Sequence, residues 1–232
     1  MMSERKFSNS YTSFWTQLLP TVETFVRQMN LANERYCAPV RSVTSDRDKR
    51  SVVNELGFRL FRAQAIGRRI TNKFKNISER ETRKYIEQLI HGGIKILPLS
   101  LEETAESERI AAALATYFGA EAVPGLNFWP VFQGCGRLDS CKGDIINGAI
   151  LVEVKAGDRN FRVVDVRQVI TYLALNFASK QYSLSEVAFV NPRTCKSYKC
   201  GIDNLVEHSS GRKAVEVFED IVEFLSAETG SK

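Results

Sequence analysis

Three ionisable residues in the middle of the chain, Asp144, Glu153 and Lys155, have types and spacing suited to catalysis. Glu153 and Lys155 alternate in the run 149–155, which is too apolar to form a strand that faces water, so both charges are expected to be partly buried. Burying a charge costs several kcal/mol per ion unless a partner or a metal offsets it. Mg²⁺ would offset it, because Mg²⁺ binds carboxylate oxygens, and it would also activate a water and shield the charge of a phosphodiester. These residues therefore indicate metal-assisted hydrolysis.

A β-hairpin would bring Asp144 to the other two residues. Asn147-Gly148 between apolar runs is a strong signal for a two-residue turn, since a type I′ turn needs positive φ at both central positions. In the register that follows from this turn, Asp144 lies opposite Leu151. Side chains in a strand repeat every two residues, so we expect Asp144 on the face that also carries Glu153 and Lys155. The alternative, an ion pair on a solvated sheet face, fits the apolar neighbours less well.

The order of these residues resembles the PD-(D/E)XK nuclease superfamily, and a second motif downstream resembles the Q-x-x-x-Y motif of its RecB-like branch. The matching positions are Asp144, Glu153, Val154, Lys155, Gln168 and Tyr172. The resemblance covers residues from about 102 to 205, and residues 1–100 do not share it. It implies an α/β (α+β) fold with an αβββαβ restriction-endonuclease-like core and a mixed central sheet.

The resemblance also implies a role for each matching residue. Asp144, Glu153 and the Val154 carbonyl would hold Mg²⁺, with Mn²⁺ as a substitute. Lys155 would orient the attacking water and stabilise charge on the phosphate. The side chains at 168 and 172 are one helical turn apart, so Gln168 and Tyr172 would share a face and fix either the substrate backbone or the lysine. A core role for Tyr172 fits equally well.

Several further residues are candidates for the site. Asp139 is a rival metal ligand, because Gly136-Arg-Leu-Asp139 also fits the first family position, and a β-bulge between the two aspartates would reverse the choice of Asp144. Arg159 and Arg167 flank the motifs and could clamp phosphates through their fork of donors. Glu106 or Glu108, on the preceding helix, could supply an additional acid.

Charge is distributed unevenly along the 232 residues, whose net charge is +5. Residues 1–100 contain 18 Lys and Arg against 9 Asp and Glu, whereas the remainder contains 14 against 18. This asymmetry predicts a polyanion-binding face on the N-terminal half. The densest part is a predicted helix at 46–75, in which Arg68 and Arg69 are candidate nucleic-acid contacts. A basic helix face that only aids solubility is the alternative interpretation.

The hydrophobic periodicity predicts two regions: a basic helical extension at 1–98, and a nuclease-like core with a C-terminal helix at 99–232. Ser78 and Ser100 each begin a capping-box sequence. His91-Gly92-Gly93 would end the helix that begins at Ser78. Helices are predicted at about 10–29, 46–75, 78–91, 100–118, 164–178 and 212–226, and strands at about 127–132, 138–146, 149–155, 186–190 and 197–202.

Cysteine content and hydropathy bear on the compartment. The chain has no apolar stretch near membrane-spanning length and no signal sequence after Met1, so we expect a cytoplasmic protein that does not enter a membrane. Its five cysteines are then expected to be reduced. A structural zinc or iron–sulfur site at Cys135, Cys141, Cys195 and Cys200 is the alternative, but the loose spacing favours buried free thiols.

Together with the resemblance, these features predict a Mg²⁺-dependent nuclease that hydrolyses phosphodiester bonds. DNA is favoured over RNA as its substrate, but the residues themselves do not distinguish the two. Phage defence, restriction and repair are the settings in which folds of this kind occur. The alternative is a catalytically silent subunit that binds nucleic acid or acts as a scaffold in a larger complex. A partner protein and a homodimer are both compatible with the sequence, which leaves open the strandedness of the substrate and the choice between exonuclease and endonuclease action.

Overall fold

A computed structural model of the protein describes residues 2–90, 95–119 and 125–227. It has mixed α/β architecture, in which a six-stranded mixed sheet is covered by helices on both faces. The helices are α1 Glu4–Asn9, α2 Thr12–Leu18, α3 Val22–Ala32, α4 Arg47–Ala65, α5 Asn72–Leu89, α6 Leu101–Phe118, α7 Val163–Ser179, α8 Ile202–Ser210 and α9 Ala214–Ser226. The strands are β1 Glu34–Arg35, β2 Leu126–Phe128, β3 Val131–Phe132, β4 Cys141–Lys142, β5 Ile145–Asn147, β6 Ile150–Val154, β7 Glu186–Asn191 and β8 Lys196–Gly201.

The sheet has the strand order β1-β8-β7-β6-β5-β2, and β3 and β4 form a separate two-stranded ribbon. Strands β6 and β7 are parallel, while the other neighbours in the large sheet are antiparallel. The parallel pair is joined by α7, as a parallel connection requires a crossover. The mixed α/β class predicted from the sequence is therefore observed, and the parallel pair brings the ends of β6 and β7 to one edge.

Alternating side chains of the central strands serve two hydrophobic cores. One face packs against α7, α9 and the N-terminal helices, and it includes Ile146, Leu151, Val187 and Phe189. The opposite face packs against α4 and α6, and it includes Ile145, Val152, Ala188 and Val190. Because the side-chain period of a strand is two, the residues at 144, 153 and 155 belong to the α7 side.

The N-terminal helices pack on the same cores as the rest of the chain. Phe7, Trp15 and Phe25 lie in the cluster that includes α7 and the sheet, whereas Leu56 and Phe61 lie in the cluster on the other face. Residues 1–98, predicted as an extension, thus share both hydrophobic cores with residues 99–232. None of the helices within the described ranges is both long and apolar enough to cross a membrane.

The predicted helix at 46–75 is two helices in the structure. Helix α4 ends at Ala65 because Gly67 has a φ of 74°, and the N–H groups of Gly67 and Arg68 donate to the carbonyls of Gln64 and Ala63. This pair of bonds is a Schellman motif, which closes the end of a helix. Thr71 then caps α5, which runs without a break to Leu89.

Other predicted boundaries were also wrong. The capping box at Ser78 is absent, because Ser78 lies inside α5, whereas the one at Ser100 is present. The predicted helix 10–29 is interrupted around Pro20, which follows the end of α2. The predicted strand 127–132 breaks at Trp129-Pro130, and the strand 138–146 breaks before Asp144. The structure also contains three elements that were not predicted, α1, α8 and β1. The predicted helix stop at His91 lies outside the described residues.

The hairpin between β5 and β6 has a different turn from the one predicted. Ile146 pairs with Leu151, so the turn residues are Gly148 and Ala149. Gly148 has a φ of 59°, which suits the first central position of a type II′ turn rather than the second of a type I′ turn. Asp144 is therefore not opposite Leu151 as predicted. The observed pairing is shifted by two residues from the predicted one, and a shift by an even number leaves Asp144 on the same face of the sheet as Glu153.

The cysteines also differ from the prediction. Cys37 and Cys195 form a disulfide with their Cα atoms 5.2 Å apart, whereas we expected reduced thiols throughout. The two residues are 158 positions apart in the chain, and the fold brings them together by pairing β1 with β8. Cys135, Cys141 and Cys200 are free. Since Cys195 is bonded to Cys37, the four-thiolate set considered from the sequence is not assembled.

The close approach of α4 and α6 gives a test of the fold. A Cβ atom at Gly57 would lie 2.7 Å from Cγ2 of Ile110, which is fully buried. Gly57→Ala should therefore lower the free energy of unfolding by about 1–2 kcal/mol, since overpacking costs about 1–3 kcal/mol and alanine regains up to about 1 kcal/mol in a helix. Denaturant unfolding measures this difference.

Gly125→Ala is the matched control, because nothing lies within 4 Å of a Cβ atom at that position. Its effect should stay within about 0.5 kcal/mol. If Gly57→Ala proves as stable as the wild type, the close packing of α4 on α6 is wrong.

Candidate active site

The ammonium group of Lys155 is the centre of a polar cluster at the end of β6. Its Nζ donates to Oε1 of Glu153 at 2.6 Å and to Oε1 of Gln168 at 2.6 Å. The Asp165 carboxylate lies 3.8 Å away. The side chain of Lys155 is 16 % exposed, and those of Glu153 and Asp165 are 3 % exposed. Glu153 belongs to β6 and Lys155 directly follows it, while Asp165 and Gln168 belong to α7.

Gln168 connects the lysine to the rest of α7 and to the neighbouring ribbon. Its Nε2 donates to the hydroxyl of Tyr172 at 2.8 Å, and that hydroxyl donates to the carbonyl of Lys142 at 3.2 Å. An ammonium cannot accept a hydrogen bond, so the Gln168 oxygen has to face Lys155 and its amide nitrogen has to face Tyr172. The chain of bonds therefore has a single direction, and it fixes Lys155 relative to the segment that carries Asp144.

Asp144 lies beside β6, as the strand periodicity predicted. Its Oδ2 accepts a hydrogen bond from the backbone N–H of Val154 at 2.7 Å. Burial raises the pKa of Asp144 well above its usual range, and the neighbouring Glu153 raises it further, against the lowering effects of Lys155 and the Val154 N–H. Two carboxylates in one poorly solvated place thus resist losing both protons.

Glu153 has one carboxylate oxygen that lacks a partner. Its Oε1 accepts from Lys155, but its Oε2 is buried and makes no hydrogen bond among the described residues. Burial raises the pKa of Glu153, although Lys155 opposes that shift. A buried oxygen without a partner costs free energy unless something else binds it. A cation would satisfy it and would also relieve the repulsion with Asp144.

The donor set fits a hard divalent ion. Mg²⁺ is usually held by one or two carboxylates while it keeps several waters and contacts phosphate, and Asp144 and Glu153 supply that number. The N–H of Val154 faces Asp144, and the N–H and C=O of a strand residue point to the same neighbour, so the Val154 carbonyl is directed to the same side. Within the described ranges, no three His, Cys, Asp or Glu side chains form a complete cage.

Lys155 remains charged in this environment. Burial alone would lower the pKa of Lys155, but the carboxylates of Glu153, Asp165 and Asp144 together outweigh burial and raise the pKa. The group is therefore an ammonium at neutral pH and cannot accept a proton. Its chemistry is limited to donating hydrogen bonds and stabilising negative charge.

Arg159 makes a bidentate pair with Asp165, at 2.6 and 2.9 Å. This hydrogen-bonded pairing raises the pKa of Arg159. The same carboxylate accepts from the N–H of Arg162 and so caps α7. Arg159 lines the cleft described below, and its 28 % exposed side chain remains accessible to a phosphate.

The loop after β6 is held by two residues that we did not predict from the sequence. Asn191, at the end of β7, donates to the carbonyls of Gly157 and Arg159. Arg193 is 1 % exposed, and its guanidinium lies 2.6 Å from Glu106 and 2.6 Å from Asn54. Asn191-Pro192 signalled a strand end, but no local pattern indicates that Arg193 reaches partners more than 80 residues away.

Several predicted candidates lie elsewhere. Asp139 lies in the loop between β3 and β4, where its N–H donates to the carbonyl of Met2. It does not line the cleft next to Lys155 that is described below. The guanidinium of Arg167 lies 5.7 Å from the ring of Trp15, and burial lowers the pKa of Arg167. Arg68 and Arg69 are exposed in the loop after α4, outside the cleft.

The two acids proposed on α6 are also absent from the cleft. Glu106 is fully buried, pairs with Arg193, and accepts from the N–H of Val43 at 2.7 Å. Glu108 forms an ion pair with Lys75 at the surface, at 2.7 Å. Neither residue lines the cleft next to Lys155.

An open cleft of about 820 Å³ gives access to the cluster. Asp144, Val154, Lys155, Arg159 and Gln168 line it, together with residues of α4 and α5. The cleft continues into a pocket of about 370 Å³ whose lining includes Arg47, Arg50, Arg159, Arg162 and Arg193. Two of the candidate metal ligands, Asp144 and Val154, therefore open onto a cleft that leads to a pocket lined by arginines.

Comparisons of this chain with protein-family models, with curated proteins and with solved structures find no match. The chemistry of the site is therefore inferred from the geometry of the cleft.

The choice between Asp144 and Asp139 as metal ligand can be tested without an activity assay. At a concentration about 100 times Kd, Mg²⁺ or Mn²⁺ should add about 2.7 kcal/mol to the free energy of unfolding. For a chain of this size that corresponds to a rise in Tm of roughly 5–11 °C. Asp144→Asn keeps the acceptor for the Val154 N–H but loses the charge, so it should abolish the rise.

Asp139→Asn is the matched control and should keep the full response to the metal. The rise should also shrink at acid pH, because the raised pKa values of Asp144 and Glu153 let protons compete with the metal. A response that disappears in Asp139→Asn and persists in Asp144→Asn would reverse the assignment.

Proposed function

We propose that this protein is a metal-dependent nuclease of the PD-(D/E)XK type that hydrolyses phosphodiester bonds in DNA. The proposal rests above all on one observation: Lys155 is held by Glu153 and Gln168 beside Asp144, in a cleft that leads to an arginine-lined pocket. The arrangement of β5, β6 and α7 that produces this cluster supports the restriction-endonuclease-like core expected from the sequence.

The protein's own residues divide the work of hydrolysis. Asp144, Glu153 and the Val154 carbonyl would hold Mg²⁺, and the bound ion supplies a water of lowered pKa and a counter-charge for the phosphate. Glu153 and Gln168 take two of the three N–H donors of Lys155. The third would donate to the attacking water, while the positive charge of the ammonium stabilises the charge that develops on the phosphate. In this role Lys155 orients the water by a hydrogen bond.

Gln168 and Tyr172 act as positioning residues for Lys155. Tyr172 is almost fully buried, and its ring stacks on Phe132 at a centroid distance of 5.1 Å, so it is also part of the core. Burial raises the pKa of Tyr172, which keeps its hydroxyl protonated and able to donate to the Lys142 carbonyl. The network therefore holds Lys155 in place while the substrate enters and leaves.

The pocket next to the cleft favours a polyanionic substrate, because five arginines and only one carboxylate line it. DNA is proposed ahead of RNA on the resemblance noted in the sequence. Phage defence, restriction and repair are the proposed settings, and a partner protein or a second copy of the chain would direct the enzyme to its target. A silent nucleic-acid-binding subunit would need neither the Lys155 ammonium nor the adjacent carboxylates.

Metal-dependent cleavage tests the proposal. Purified wild type and Lys155→Met should be compared on single- and double-stranded DNA and on RNA, with Mg²⁺, with Mn²⁺ and with EDTA. We expect wild-type cleavage that needs the metal and falls by at least about 100-fold in Lys155→Met, because the variant lacks a donor to the developing charge. Gel analysis of labelled products measures both rates.

Lys199→Ala is the matched control, because Lys199 lies in the same sheet and pairs with Glu186 at 3.1 Å, but its side chain is 50 % exposed. This variant should cut as the wild type does. If wild type and Lys155→Met bind DNA equally and neither cuts any substrate, the nuclease proposal fails and the silent binding subunit replaces it.

A further inference from the structure

The backbone of Trp129 is unusual for a large side chain. Trp129 has a φ of 54°, a left-handed conformation that bulky residues rarely adopt and that costs free energy. Its N–H donates to the carbonyl of Asp144 at 2.9 Å, and the N–H of Gly143 donates to the carbonyl of Pro130 at 3.0 Å. These bonds hold the strained residue directly beside a candidate metal ligand.

The conformation places an aromatic ring in the cleft. Trp129 is partly exposed and lines the cleft next to Asp144. The guanidinium of Arg62 lies 4.3 Å from the centre of its ring, and the ring of Phe58 lies 6.0 Å away. One side of the indole is thus supported by α4, which fixes the ring as a rigid platform.

Helix α5 extends this apolar part of the cleft. Tyr85 and Leu89 are 42 % and 50 % exposed, and both line the cleft with Trp129 and Phe58. Asp144, Val154 and Lys155 line the polar part of the same cleft. A ligand that fills both parts therefore has to carry flat apolar groups as well as phosphates.

The adjoining pocket accounts for the phosphates. It is lined by five arginines and one carboxylate, that of Asp158. Arg50 and Arg193 lie within 3.7 Å of Asp158, but Arg47 and Arg162 form no ion pair with any described residue. Two exposed guanidinium groups are therefore available to an anion, and the pocket shares Ala156, Gly157 and Arg159 with the larger cleft.

We propose that the cleft binds an unpaired DNA strand, with a base stacked on Trp129 beside the scissile phosphate and the next phosphates in the arginine pocket. Bases inside a duplex are stacked on one another and cannot reach a side chain in this position, whereas the bases of a single strand or an unwound end can. An aromatic platform combined with a basic path is the usual means of holding a single strand without reading its sequence. This inference rests on the proposed nuclease function and adds the strandedness of its substrate.

Binding measured in EDTA tests the inference apart from cleavage. Fluorescence anisotropy of end-labelled oligothymidylate and of a matched duplex should be compared for wild type and Trp129→Ala. We expect the variant to bind the single strand roughly 5- to 150-fold more weakly, the range that corresponds to loss of one stacked base, with little change for the duplex. Trp129→Phe, which keeps a ring, should recover most of the affinity.

Tyr11→Ala is the matched control. Tyr11 is also an aromatic residue with a left-handed backbone, at a φ of 56°, and it also has an arginine over its ring, but it does not line the cleft. It should bind the single strand as the wild type does. Equal binding by wild type and Trp129→Ala would overturn the inference.

Tryptophan emission provides a readout that needs no substitution. The chain has two tryptophans, and Trp15 is fully buried, so quenching by an added oligonucleotide reports on Trp129. Single-stranded DNA should quench the emission and duplex DNA should not. No quenching by single-stranded DNA at a concentration that saturates the anisotropy signal would also overturn the inference.

The two proposals fail in different ways. If DNA is cut with Mg²⁺ and Lys155→Met is inactive, but Trp129→Ala binds and cuts single strands normally, the nuclease stands and the stacking platform is wrong. If Trp129 is needed for single-strand binding but no substrate is cut, the binding site stands and the catalytic assignment fails.

Discussion

The charge of Lys155 is the constraint on which the arrangement of the site depends. An ammonium with 16 % of its side chain exposed loses most of its hydration, which costs several kcal/mol unless opposite charges and hydrogen-bond acceptors replace the water. Glu153 and Asp165 supply the charges, and Gln168 supplies a neutral acceptor. Strand β6, helix α7 and the loop after β6 therefore have to meet at one point, and their packing around the sheet is what brings them there.

The same arrangement leaves one carboxylate oxygen without a hydrogen-bond partner among the described residues. Lys155 satisfies one oxygen of Glu153, but the other oxygen is buried without a partner, and Asp144 adds a second carboxylate whose pKa burial raises. Neither feature stabilises the folded chain by itself. Binding of the proposed divalent ion would make both favourable, so the cost of folding this cluster and the proposed catalytic function would have the same physical origin. The rigid Gln168–Tyr172–Lys142 chain maintains the geometry in the meantime.

The convergence of Asp144, Glu153 and Lys155 could be predicted from the sequence because it depends on strand periodicity, which survives an error in the turn. The turn was predicted at Asn147-Gly148 and lies at Gly148-Ala149, but a shift of the pairing by two residues leaves every side chain on the same face of the sheet. Helix α7 and the capping box at Ser100 were predictable for a similar reason, since their signals are local.

The features that were missed are non-local or strained. Arg193 reaches Asn54, 139 residues away, and Cys37 reaches Cys195 across the β1–β8 pair, so no window of sequence contains either signal. The left-handed backbone of Trp129 contradicts the strand propensity of its neighbours and is maintained by hydrogen bonds on either side. The predicted helix 46–75 was too long because the hydrophobic periodicity continues past Gly67, where the left-handed backbone ends α4.

The most direct test of the account is the position of a bound metal ion. A crystal of the protein soaked in Mn²⁺ would give an anomalous signal that locates the ion without reference to activity. We expect a single strong site between Asp144 and the free oxygen of Glu153, within bonding distance of the Val154 carbonyl, about 2.0–2.3 Å for oxygen ligands of such ions. An ion bound at Asp139, or an empty cleft at a concentration of Mn²⁺ that supports cleavage, would contradict it.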